Sequence, residues 1–249
     1  MTAIVSSMAP RLLRASFGAP ADWLSNGCAT SPSVRVIRRF ALVLQLLAAF
    51  LLTAQLVSAQ DAAEQPSTTT EKSTTASTAK FLAGGLTGLA AHESGHLLFD
   101  AIFGAHASVK KVDFHGVPFF AITHDNGLTP RKEFVIDSAG FWVQEATNEV
   151  VLTKRPNLRH ESAPFTKGVV AFNTIASFAY AGAAFARTGP FERDTRGMAE
   201  SLGWKEPYVG LLILAPAILD TVRYFNPDAR WAVWGSRASK AFSVVLVFK

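Results

Sequence analysis

The chain has 249 residues, of which 49% are hydrophobic and only 17% are charged. About a quarter of the residues in a soluble domain are charged, so this balance, with a mean hydropathy of +0.22, favours a membrane protein. The single cysteine excludes a disulfide framework and a cysteine-based zinc site. The net charge of +5 comes from scattered cations that mostly flank apolar segments, which is typical of membrane helices and argues against nucleic acid as a partner.

The first 59 residues are typical of a secretory signal peptide or an N-terminal anchor. Arginines precede an apolar run from Phe40 to Val57, and the small residue Ala59 follows it. Residues 60–79 are rich in serine, threonine and alanine and show no apolar periodicity. We therefore predict a disordered linker there, which leaves residues 80–249 as one membrane-embedded domain.

The segment from Lys80 to Phe103 is apolar and long enough to span a bilayer of about 30 Å. It places His92 and His96 four residues apart, with Glu93 directly after the first histidine. Residues four apart lie on one face of a helix, so two neutral imidazoles can bind one Zn²⁺ ion. Glu93 lies where a carboxylate can accept a proton from a water on that metal. This H-E-x-x-H pattern predicts a zinc hydrolase site; the alternative is an apolar helix with two incidentally stacked histidines.

Two features follow the histidine pair. Asp100 comes one turn after His96, where it either orients that imidazole or lies at the membrane interface. In residues 104–130 apolar and polar residues alternate, and turn residues interrupt the pattern. We therefore predict short extramembrane strands with a hairpin at Asp125-Asn126-Gly127. Three histidines of this insertion have no partner at metal spacing and are expected to be surface or strand residues: His106, His115 and His124.

The chain from Thr129 onward is predicted to form helices. Thr129-Pro130 is typical of a helix start, and that helix continues to about Leu152. Two further apolar runs, Phe165–Phe185 and Tyr208–Phe225, are separated by an amphipathic segment that ends at Gly203. A last helix after residue 226 carries tryptophans that favour the membrane surface. The predicted fold class is mainly α, a polytopic membrane protein with about four transmembrane helices and a small extramembrane β insertion.

Three stretches together resemble the site-2 protease family of intramembrane zinc metalloproteases. They are AAHESGHLLFDAIFGA (residues 90–105), TPRKEFVIDSAGFWVQ (residues 129–144) and an acid after an apolar run near the C-terminus. The second stretch is similar to the family's A-G-P-x-x-N helix, with Phe141 in place of the proline and Gln144 in place of the asparagine. The similarity covers roughly residues 80–230 and keeps the family's order.

The resemblance implies a third zinc ligand, an Asp in an L-D-G or N-P-D-G context. Asp220 follows Leu219 and Asp228 follows Pro227, but neither precedes a glycine. Asp220 lies in an apolar run, where an unpaired carboxylate is costly, although Arg223 three residues on could pair with it. Asp228 lies in a helix first turn, where the dipole already favours an acid. We therefore predict Asp220 as the third ligand and keep Asp228 as the alternative.

The spacing and the resemblance imply an intramembrane zinc metalloprotease that hydrolyses peptide bonds of membrane-associated substrates. His92, His96 and an Asp would hold Zn²⁺, and Glu93 would act as the general base. The expected partners are a membrane-protein or peptide substrate and the lipid bilayer, and the expected location is the bacterial inner membrane. The alternative is a catalytically inactive metal-binding relative that acts as a membrane regulatory or binding protein.

Overall fold

The computed structural model describes residues 70–114, 117–124 and 127–248. The predicted signal segment and residues 60–69 of the predicted linker lie outside these residues. Within these residues, six α-helices and two strands follow in chain order: α1 Thr70–Phe103, β1 Ser108–Phe114, β2 Val117–Thr123, α2 Pro130–Lys154, α3 Pro164–Ala186, α4 Asp194–Leu202, α5 Glu206–Phe225 and α6 Arg230–Val245. The predicted class, mainly helical with a small β insertion, is confirmed.

Helix α1 begins earlier than the sequence pattern indicates. Residues 70–79 were expected to belong to the linker, but the helix includes them from Thr70 onward. Adding a residue to an existing helix costs far less than starting one. A helix that is packed along residues 80–103 can therefore extend into a polar segment that has no apolar periodicity.

The predicted strands form one antiparallel hairpin, but its connection is not where the sequence suggested. Strand β1 pairs with β2 in a register that joins Ser108 to Thr123 and Val112 to Phe119. The end of β1 at Phe114 therefore pairs with the start of β2 at Val117. Asp125 and Asn126 of the predicted turn lie outside the described residues, and the next element after β2 is α2.

Helix α1 packs between α2 and α3, and α5 packs against α3 and α6. The contact between α1 and α3 is close because glycines face each other's backbones. A Cβ at Gly84 would lie 2.0 Å from the Phe165 carbonyl oxygen, and one at Gly168 would lie 2.0 Å from the Phe81 carbonyl oxygen. Small residues at such crossings let helix backbones touch. The helix that carries the histidine pair is thereby held directly against α3.

Two helices in the described part of the chain are long and apolar enough to cross a membrane, namely α3 and α5. Helix α1, which was predicted to span the bilayer, is not one of them. A core of apolar side chains joins α2, α4 and α5 around Phe134, Phe141, Met198 and Ile213. This core fixes the short helix α4 beside α2, and the N-terminus of α4 contributes to the site described next.

Candidate metal centre

The histidine pair lies on α1 as predicted, with both rings buried on one face of the helix. The His92 and His96 Nε2 atoms are 3.2 Å apart. A third group comes from α4, where Asp194 Oδ2 lies 3.2 Å from His92 Nε2 and 3.6 Å from His96 Nε2. The ligand atoms of these three side chains lie close enough together to hold a metal ion. Within residues 70–114, 117–124 and 127–248, no other group of three or more His, Cys, Asp or Glu side chains does so.

The spacing of the three atoms fits a tetrahedral metal. Zinc bonds of 2.0–2.1 Å at tetrahedral angles separate neighbouring ligand atoms by about 3.3–3.4 Å. The observed separations of 3.2, 3.2 and 3.6 Å bracket that value. Two imidazole nitrogens and one carboxylate oxygen are also a usual donor set for catalytic zinc, which keeps its fourth position open.

A backbone carbonyl fixes the tautomer of His96. Its Nδ1 lies 2.7 Å from the Ile136 carbonyl oxygen, which can only accept a hydrogen bond, so Nδ1 carries the proton. When the ring is neutral, its Nε2 lone pair therefore faces His92 and Asp194. Metal-binding histidines are commonly oriented in this way. Asp100, the predicted alternative partner of His96, is fully buried one turn further on, with its Oδ1 3.5 Å from His124 Nδ1.

Helix α2 approaches the two imidazoles through Gly140. A Cβ at this position would lie 2.6 Å from both Nε2 atoms, too close for any side chain. Gly95 similarly lets α1 approach the Ala139 carbonyl oxygen, which would lie 2.6 Å from an added Cβ. The Ala139-Gly140 dipeptide belongs to the second stretch of the resemblance, and the structure brings it against the first.

The electrostatics around Asp194 favour its ionised form. Burial by itself raises the pKa of this carboxyl, but the nearby His96 and His92 lower it more, so its pKa lies below the usual value. Its first-turn position on α4 adds the positive end of a helix dipole. Asp194 therefore presents the charged oxygen that a divalent metal requires.

The structure does not bring Asp220 or Asp228 to the histidines, which corrects the predicted third ligand. Asp220 Oδ1 accepts hydrogen bonds from Ser236 Oγ at 2.6 Å and Lys240 Nζ at 2.9 Å. Arg223 pairs with Asp220 at 3.1 Å, which is the alternative that the sequence left open, and with Glu149 at 2.5 Å. Two cations thus neutralise the buried carboxylate, so no metal is needed to explain it. Asp228 is exposed in the connection between α5 and α6.

A cavity of about 410 Å³ opens beside the three convergent groups. Glu93, His96 and Asp194 line one side of it, and residues 120–122 of β2 line another. The cavity therefore lies between the predicted general base and three consecutive residues of strand β2.

Arg193 and Thr195, which flank Asp194, are both hydrogen-bonded to Glu206 at the start of α5; these three side chains are called the clamp below. Arg193 donates to both carboxylate oxygens of Glu206 at 2.6 Å, and Thr195 Oγ1 donates to Glu206 Oε1 at 2.8 Å. These bonds fix the start of α4 and hence the direction of the Asp194 side chain. Neither Asp194 nor this clamp has a sequence signature, since a charged residue in a helix first turn is ordinary.

Glu206→Gln is expected to weaken metal binding about 10- to 100-fold, the usual cost of losing a group that orients a ligand. The Gln side chain keeps its size but loses the charge that holds Arg193. Metal affinity is measured by competition with a chelating dye. Glu192→Gln is the matched control, because Glu192 pairs with Lys110 and makes no bond to the clamp. Equal affinities in the two variants would show that the clamp does not orient Asp194.

The fold and the site together define a mainly helical protein with a buried two-histidine, one-carboxylate centre beside a cavity. No family model, curated protein or solved structure matches the chain. The resemblance to site-2 proteases therefore stays a prediction, and the functional argument depends on the residues of the site.

Proposed function

We propose that this protein is a membrane-embedded zinc metalloendopeptidase. The convergence of His92 Nε2, His96 Nε2 and Asp194 Oδ2 beside Glu93, at the wall of a cavity, carries this proposal. Glu93 is half-buried next to the two histidines. A general base must lie within one hydrogen bond of the water that it activates, and we assign this role to Glu93 because it lines the same cavity as His96 and Asp194.

The chemistry divides between the metal and the chain. A Zn²⁺ ion held by His92, His96 and Asp194 would supply Lewis acidity, lowering the pKa of water to about 7 and polarising a carbonyl group. Glu93 accepts the proton of the attacking water as the new C–O bond forms. It then delivers that proton to the amide nitrogen as the C–N bond breaks, which leaves a carboxylic acid and an amine.

The hairpin offers a place for the substrate main chain. Within the described residues β1 and β2 pair only with each other, so neither strand has a second strand along its other edge. An extended peptide can add to such an edge through main-chain hydrogen bonds. Pairing with β2 would place a substrate strand along the cavity that Glu93 lines.

Removing residues 108–123 is therefore expected to slow cleavage of an unfolded peptide at least about tenfold, which corresponds to roughly 1.4 kcal/mol of lost binding. The loss should lie mainly in KM, because the deleted strands hold substrate and contribute no reacting group. Metal content is the control for correct folding. Cleavage as fast as in the intact protein, with metal retained, would contradict a role for the hairpin.

A bilayer is the environment that best fits the exposed surface. Only 33% of the apolar window of α3 and 44% of that of α5 is buried within the protein. Ile175 is 67% exposed and Leu211 is 55% exposed, and apolar area of this extent needs another cover. We propose that lipid supplies it, that the substrates are membrane-associated proteins or peptides, and that in a bacterium the location is the inner membrane.

The test uses the full-length protein in detergent or liposomes, with metal analysis and a fluorogenic library of apolar peptides and model transmembrane segments. Because these three ligands form one site, we expect about one zinc ion per chain. Chelation should abolish cleavage, and added Zn²⁺ should restore it. Metal bound without cleavage of any substrate would favour the non-catalytic metal-binding alternative. Absence of metal binding would contradict both functions.

A further inference from the structure

The cavity beside the candidate metal centre has few polar side chains. Its walls are mainly apolar or glycine, and the polar members of the lining are Glu93, His96, Tyr180, Glu192, Arg193 and Asp194. Peptide hydrolysis places a negative charge on the carbonyl oxygen as water adds to the carbonyl carbon. A donor aimed at that oxygen, in a site that excludes water, contributes strongly to the rate. The question is which of these side chains can serve as that donor.

Most polar side chains that line the cavity already form hydrogen bonds or ion pairs, or act as acceptors. Arg193 donates to both Glu206 oxygens and, through Nη1, to the Pro190 carbonyl oxygen at 2.9 Å. Glu192 pairs with Lys110, and His96 uses Nδ1 for the Ile136 carbonyl. Glu93 and Asp194 accept hydrogen bonds when ionised. Among the side chains that line the cavity in the described part of the chain, the Tyr180 hydroxyl is the neutral O–H donor.

The Tyr180 ring is placed by two neighbours. It stacks on His92 with a centroid distance of 5.9 Å and an interplanar angle of 26°, and it meets Phe141 edge to face at 5.1 Å. Its hydroxyl lies within interaction range of the Asp194 carboxylate. The Tyr180 side chain, from α3, therefore lies beside the candidate metal centre and lines the cavity together with Asp194.

We propose that Tyr180 is a catalytic residue that stabilises the oxyanion, a role that rests on the proposed peptidase function. As water oxygen bonds to the carbonyl carbon, the π electrons of the carbonyl move to its oxygen, and Glu93 holds the proton released by the water. The Tyr180 O–H turns from Asp194 to donate a hydrogen bond to this oxyanion and keeps its own proton. When the carbonyl re-forms, the C–N bond breaks, Glu93 protonates the leaving nitrogen, and Tyr180 returns to Asp194.

An alternative role for Tyr180 gives different results. If its hydroxyl served only to orient Asp194, its loss would weaken metal binding by about the 10- to 100-fold expected for an orienting group. An oxyanion donor acts on the transition state alone. Its loss should lower kcat and leave both metal affinity and KM nearly unchanged.

The experiment compares Tyr180→Phe with the wild type in zinc affinity, in kcat and KM, and in inhibition by a peptide phosphinate, whose oxygens mimic the oxyanion. We expect kcat to fall about 10²- to 10³-fold, phosphinate affinity to fall in parallel, and zinc affinity to fall far less than kcat. Tyr208→Phe, at an exposed tyrosine of α5, is the matched control.

Unchanged kcat in Tyr180→Phe, with an active wild type, would overturn this role and leave the peptidase function intact. A fall in zinc affinity that accounts for the lost activity would also overturn it, in favour of Asp194 orientation. Absence of cleavage by the zinc-loaded wild type would overturn both the peptidase function and this role.

Discussion

Replacing Glu93 with Gln should abolish most peptide cleavage while leaving the metal in place. The amide keeps the size of the side chain but cannot accept the proton of the attacking water, and positioned general bases contribute about 10²- to 10⁴-fold. Because Glu93 is not one of the three convergent ligands, zinc content should match that of the wild type. The measurement is kcat/KM on the best peptide of the library, with metal analysis on the same samples.

The matched control is Glu133→Gln, a carboxylate on α2 that pairs with His124 at 2.6 Å and does not line the cavity. Its cleavage rate should stay close to that of the wild type. Activity in Glu93→Gln equal to that of the wild type would contradict the role of Glu93. It would also require another base in the cavity.

The second expected result separates the two candidate third ligands. Asp194→Asn should lower zinc affinity by more than about 100-fold, since even groups that merely orient a ligand are worth 10–100-fold. Asp220→Asn should leave zinc affinity within about twofold, because distant sites act independently. Chelator competition at fixed pH provides both values.

Asp220→Asn is expected to lower the stability of the fold rather than metal affinity. Arg223 and Lys240 would keep their charges in a buried site after losing the carboxylate, and breaking such a pair costs about 3–5 kcal/mol. The variant should therefore unfold at lower temperature or denaturant concentration, with its metal site intact. The opposite pattern, zinc lost in Asp220→Asn and kept in Asp194→Asn, would contradict the site geometry described above.

Local sequence rules predicted the parts of the site that depend on one helix. The four-residue spacing of His92 and His96 puts both rings on one face of α1, and this holds in the structure. The helix start at Pro130 is likewise where the sequence indicated. In both cases the signal and the structure lie within a few residues of each other.

The third ligand could not be found in this way. Asp194 begins a short polar helix, where an acid in the first turn has an ordinary explanation. Asp220 was predicted as the third ligand because an unpaired carboxylate in an apolar run is costly. In the structure Lys240, from the next helix, pairs with this carboxylate and lowers that cost. Both outcomes depend on which helices pack together, and no spacing rule encodes that packing.

The close backbone approach of α1 and α3 at Gly84 and Gly168 has a consequence for sequence variation. These glycines set the relative height of α1, which carries Glu93, and α3, which carries Tyr180. A single added methyl group at either position would lie 2.0 Å from a carbonyl oxygen of the other helix, so the helices would have to shift, and with them two groups that the proposed mechanism brings to the same bond. On the proposed mechanism, a glycine-to-alanine change at this helix crossing would therefore lower activity although it alters no residue of the cavity lining.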